Sequence, residues 1–109
     1  MNIESKGTTA IISPTNVELT NFLENLTQEL STYRTSNVVI NLSSCGPIAA
    51  KDLNQFLAVA KEQKKAQKSF VICADTDYDK VSEKLVVVPT IQEAHDVIEM
   101  DEIERDLGF

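Results

Sequence analysis

The sequence predicts an α/β domain with a central, mostly parallel sheet, an N-terminal β-hairpin and helices packed on it. Three observations predict this. Short runs rich in β-branched residues, at 8–13, 38–42, 70–74 and 85–88, have the length and composition of strands. Stretches whose apolar residues recur at helical spacing alternate with them. The resulting order, β-β-α-β-α-β-β-α, implies right-handed crossovers and a largely parallel sheet. A chain of 109 residues fits one domain. A domain of that size buries about two thirds of its unfolded surface, enough for a core without metal or disulfide.

Residues 2–6 read as a short strand, and Lys6 and Gly7 form the bend into the second strand at 8–13. Pro14 ends that strand. Thr15 and Glu18 fit a capping box. Leu19, Phe22, Leu23, Leu26, Leu30 and Tyr33 then mark one face of a helix over 16–33. Thr35, Ser36 and Asn37 break it. Residues 38–42 suit a strand buried on both faces, and 43–47 a loop. A second helix is expected over 49–66, with Leu53, Phe56, Leu57, Ala60 and Lys64 along one face. Residues 70–74 form another buried strand. The polar stretch 75–84 holds only a turn or a very short helix. Residues 85–88 are a short strand closed by Pro89. Thr90 and Glu93 make a second capping box, and the helix from Ile91 carries Ala94, Val97, Ile98 and Met100. That helix is expected to continue into the acidic C-terminal stretch, and the chain divides into a domain at 1–99 and an acidic amphipathic tail at 100–109.

The net charge is -7. Glu93, Asp96, Glu99, Asp101, Glu102, Glu104 and Asp106 face one base, Arg105, so residues 93–106 alone carry -6. An acidic surface repels phosphate backbones, so nucleic acid is not expected as a direct partner. Lys61, Lys64, Lys65 and Lys68 interleave with no aromatics and read as the wet face of a helix. No stretch approaches the about 20 apolar residues of a membrane span. The N-terminal residues have no charged region followed by an apolar one, so a cytoplasmic location is expected. Cys45 and Cys73 sit in or near apolar strands and read as reduced, buried small hydrophobic residues.

Residues 37–57 carry a family resemblance. Val39-Ile40-Asn41-Leu42-Ser43, followed by a loop and then Ile48-Ala49-Ala50-Lys51-Asp52-Leu53, resembles the STAS domains of bacterial anti-sigma-factor antagonists. There a strand of the type I-L-D-L-S leads to a D-S-[ST]-G motif at a helix start. Ser69–Ala74 and the segment Pro89-Thr90-Ile91-Gln92-Glu93-Ala94 match later elements of that family in pattern. The D-S-[ST]-G motif falls on Ala49, Ala50, Lys51 and Asp52. Lys51 thus stands where the family has its phosphorylatable Ser or Thr, Ala49 where it has Asp, and Asp52 where it has Gly. Lysine carries the sign opposite to a phosphate. The last two strands also lie too close together for the family's full third helix. The resemblance therefore implies a degenerate member, with the architecture kept and the phospho-switch gone. The ending Met100-Asp101-Glu102-Ile103-Glu104-Arg105-Asp106-Leu107 resembles the tail of small STAS-like bacterial proteins that accompany ribonuclease Z. That nuclease family holds two zinc ions with a cluster of His and Asp, whereas this chain has one histidine, His95.

Two regions carry chemistry-bearing residues. Asp75-Thr76-Asp77-Tyr78-Asp79 follows a buried strand, as the D-x-D-x-[TV] of haloacid-dehalogenase-like phosphatases does, but its fifth position is Asp79. The same run opens like a calcium loop, yet the sixth position is Lys80 and the twelfth Val86. A lone His95 forms neither a zinc site nor a nucleophilic triad. The expectation is a non-enzymatic protein–protein interaction module, with no cofactor or metal. Its expected surfaces are the helix start at Ile48, Ala49, Ala50, Lys51 and Asp52, and the tail at Met100, Ile103, Arg105, Leu107 and Phe109. In the tail, Met100, Ile103 and Leu107 share one helical face. Its expected partner is another protein, ribonuclease Z or a regulatory protein. The alternative is a small metal-dependent phosphatase or ligand binder using Asp75, Asp77 and Asp79.

Overall fold

The computed structural model describes residues 2–15, 19–33 and 35–108, without the side chains of Leu30 and Ser31. The Thr15–Glu18 capping box and Phe109 lie outside the described residues. Gly7, at φ +60°, makes a two-residue turn with Thr8. It joins β1 (Asn2–Lys6) to β2 (Thr9–Ser13) as an antiparallel hairpin, with Lys6 opposite Thr9. Helix α1 (Leu19–Glu29) ends in a 3-10 turn and leads to β3 (Asn37–Asn41), parallel to β2. Then come α2 (Ala50–Leu53), α3 (Leu57–Lys65), β4 (Phe70–Cys73), β5 (Val86–Val88) and α4 (Ile91–Asp106). The five strands lie in the order β1-β2-β3-β4-β5, and all neighbours after the first pair are parallel.

Because side chains alternate along a strand, the sheet sorts its residues onto two faces. Ala10, Ile12, Val38, Ile40, Phe70 and Ile72 face α1 and α3, where Phe22, Leu26, Phe56 and Val59 complete the larger core. The Phe56 ring lies between those of Phe22 and Phe70, at centroid distances of 6.3 and 6.4 Å. Ile11, Val39, Val71 and Val88 point the other way, against Ala94 and Ile98 of α4. α4 starts beyond the end of β5 and runs back to the N-terminal ends of β3 and β4, where its last turns bond to Asn37 and Ser69.

The single helix expected over 49–66 is two helices joined by a 3-10 turn at Asn54–Phe56. The tighter turn keeps both Leu53 and Phe56 fully buried. It also lets Asn54 Oδ1 accept the Ser82 backbone N–H at 3.1 Å. Asn37, read from sequence as part of a breaker, opens β3 and is 1% exposed. As expected, α4 runs on from Ile91 into the acidic stretch, to Asp106, so the division between 99 and 100 falls within one helix. Among the described residues, no helix is long and apolar enough to cross a membrane.

Candidate functional site

In a parallel sheet the C-terminal strand ends and the following loops form one rim. Here the end of β2 and the loops after β3 meet in an open groove of about 280 Å³. Pro14, Leu19, Cys45, Pro47, Ile48, Ala49 and Asp52 line it. Three of the five helix-start residues expected to bind a partner, Ile48, Ala49 and Asp52, therefore share this groove. Lys51 is exposed beside it, and Ala50 is turned into the domain. The Ile48 N–H donates to the Asp75 carbonyl at 2.8 Å, which ties the loop after β3 to the end of β4. Ala49 occupies the cap position of α2 with no side chain able to accept a backbone N–H. Pro14, Leu19 and Cys45 were not expected at this surface. Cys45 is a near neighbour of Ile48 in the chain, whereas Pro14 and Leu19 are brought here by strand pairing, which is not a local signal.

Asn41 Oδ1 accepts both the Ser43 backbone N–H (3.1 Å) and the Ser43 hydroxyl (2.6 Å), folding the chain away from β3 toward the groove. Cys73 is buried in β4 as expected, whereas Cys45, also expected to be buried, is exposed in the groove wall, because it lies in the 3-10 turn beyond the end of β3. Burial pushes the Cys73 thiol pKa up, and the nearby Glu93 carboxylate adds to the rise. Cys73 is thereby kept protonated and unreactive.

The acidic turn after β4 is organised for local structure. Asp77 Oδ1 accepts the Asp79 N–H at 3.3 Å and caps a 3-10 turn, and its carboxylate lies 3.8 Å from Lys80 Nζ. Tyr78 donates its hydroxyl to the Ala74 carbonyl at 2.8 Å. Among the described residues, no three His, Cys, Asp or Glu side chains gather into a group able to hold a metal ion. Asp75, Asp77 and Asp79 do not form such a group.

The second expected surface, the end of α4, is built in an unexpected way. Its inward face after Ile98 is polar. Glu102 Oε1 accepts from Asn37 Nδ2 (2.6 Å) and from Thr8 Oγ1 (3.2 Å). Asp101 Oδ2 accepts from Ser69 Oγ at 2.7 Å. Arg105 donates to Asn37 Oδ1 and to Ser69 Oγ, each at 3.3 Å. Asn37 Oδ1 also accepts the buried Ser69 N–H at 2.9 Å. These bonds turn Arg105 toward its own domain. The apolar residues point the other way: Met100 is 59%, Ile103 48% and Leu107 64% exposed. Exposed Glu99, Glu104 and Asp106 flank them.

A second groove, of about 390 Å³, is lined by Lys64, Gln67, Lys68, Arg105 and Gly108. Its cations lie at the carbonyl ends of α3 and α4, whose negative partial charge they offset. No protein-family model matches the chain, and no curated protein is significantly similar to it.

Proposed function

We propose that this chain is a non-enzymatic protein-interaction module, a STAS-like adaptor that lacks the phosphorylatable residue. The observation that carries this reading is the reversed end of α4. A surface helix ordinarily turns its apolar stripe to the core. Here Met100, Ile103 and Leu107 face solvent while Asp101, Glu102 and Arg105 bond to the sheet. Those bonds hold the apolar stripe outward in a fixed orientation, so a partner that covers it incurs little ordering cost. The groove beside Ile48, Ala49 and Asp52 offers a second contact on the opposite rim of the sheet.

The STAS-like part of the reading rests on the sequence pattern of residues 37–57, and the N-terminal hairpin joined to a parallel sheet is compatible with it. With Lys51 at the phosphosite position, docking is constitutive. The resemblance of the tail makes ribonuclease Z, or a regulatory protein, the first partner to test, in the cytoplasm. The test is a pull-down with the whole chain, using two baits beside the wild type. One carries Met100→Ser, Ile103→Ser and Leu107→Ser, all at exposed positions, and the other carries Ile48→Glu in the groove. Loss of the captured protein with the first bait supports the α4 surface. Undiminished capture with that bait moves the docking face to the groove or removes it.

A further inference from the structure

β1 is an edge strand and is exposed along its whole length. It has no proline and no bulge in its register with β2, two of the devices that stop an edge from pairing again, and the two charges it carries, Glu4 and Lys6, are of opposite sign. Its free backbone groups can be assigned. The Thr8 carbonyl accepts the Asn37 N–H at 2.8 Å, so Thr8, Ala10 and Ile12 direct their backbone toward β3. Thr9, Ile11 and Ser13 then direct theirs toward β1, against Lys6, Glu4 and Asn2. Ile3 and Ser5 are left with N–H and C=O groups pointing off the edge of the sheet.

We infer that the partner of this edge is a second copy of the chain, paired antiparallel about a two-fold axis at Ser5. In that register Ser5 exchanges two backbone hydrogen bonds with Ser5 of the second copy. Glu4 then lies opposite Lys6 of the second copy, and Lys6 opposite its Glu4, both pairs on one face of the sheet. The competing register, centred on Glu4, sets two carboxylates at the closest cross-strand spacing, about 4.5 Å between Cα atoms. Charge therefore selects the Ser5 axis. Residues 93–106 carry nearly all of the negative charge, and α4 packs mainly over β3 to β5; its end reaches the hairpin turn at Thr8 through Glu102, and most of its charge lies away from the edge. Ile3, 39% exposed and opposite Ile12, adds apolar surface beside the axis. The product is one continuous sheet built from two five-stranded halves. Strands of five residues make a small interface, so the association is weak and reversible.

This inference is independent of the adaptor reading, and sedimentation equilibrium of the full chain from about 10 μM to about 1 mM tests it. The expected result is a mass that rises from one chain toward two. Glu4→Lys and Lys6→Glu, which place like charges opposite each other, each weaken the dimer about tenfold. The double swap Glu4→Lys/Lys6→Glu restores it. Ser5→Pro removes an outward N–H at a position where an edge strand tolerates proline, and abolishes it. A single-chain mass across the whole range overturns the inference. So does a double swap that stays monomeric, or a Ser5→Pro variant of unchanged circular dichroism that still dimerises. If Ser5→Pro disturbs the circular dichroism, the charge series decides. Loss of the dimer in the Met100→Ser/Ile103→Ser/Leu107→Ser variant places self-association on α4 and overturns the edge pairing, without touching the pull-down result.

Discussion

Between Ile91 and Ile98, α4 turns apolar residues to the sheet, with Ala94 fully buried and Ile98 4% exposed. Between Asp101 and Arg105 the same face of the same helix carries two carboxylates and a guanidinium. The sheet beneath changes in step. Val39 and Val71 lie under the first half, and Asn37, which opens β3, and Ser69, just before β4, each two residues earlier in the chain, lie under the second. Helix and sheet are therefore matched row by row, first by exclusion of water and then by hydrogen bonds. Burying polar groups is tolerated only where each finds a partner, and Asn37 does so with both its amide nitrogen and its oxygen. The apolar residues of the second half are then left outside.

Four substitutions break or sharpen this contrast. Ile98→Ala empties a packed site in the first half and should lower stability by about 2–4 kcal/mol in urea unfolding. A change below about 1 kcal/mol would mean that α4 is held mainly by its polar end. Asn37→Ala removes the hub of the second half and strands the buried Ser69 N–H, for an expected loss of about 1–3 kcal/mol. It should also speed amide exchange in the last turns of α4, and unchanged exchange there would separate the helix end from the hub. Gln67→Gly acts on the loop that presents Ser69. Gln67 sits at φ 59° after α3, with its N–H bonded to the Lys64 carbonyl and the Lys68 N–H to that of Gln63. Glycine suits this left-handed cap, so a gain of about 0.5–1 kcal/mol is expected on thermal unfolding. Ile103→Ser, in the outward stripe, should change stability by less than about 0.5 kcal/mol. A loss comparable to that of Ile98→Ala would show that the stripe is buried in solution.

Much of the site was legible one residue at a time. Ile48, Ala49 and Asp52 stand out as a helix start after a buried strand, and the spacing of Met100, Ile103 and Leu107 marks one helical face. What that spacing leaves open is which way the face points, because periodicity carries no sign. Arg105, read as a partner contact, is instead held by Asn37 and Ser69, which lie 68 and 36 residues away along the chain. Nothing near Asn37 in the sequence distinguishes a buried hub from the loop-forming Thr-Ser-Asn run that precedes the strand.

The order of strands and helices and the parallel sheet follow from the sequence alone, apart from the 3-10 turn that splits the helix expected over 49–66. They depend on local physics: β-branched runs, helical spacing, and caps such as Thr90, whose Oγ1 accepts the Glu93 N–H at 3.1 Å. Only the tertiary structure decided that the last turns of α4 dock by polar atoms, and that Pro14 and Leu19 share a groove with Ala49. Each of these depends on hydrogen bonds and contacts between segments far apart in the chain, and those form only once the sheet has set the segments side by side.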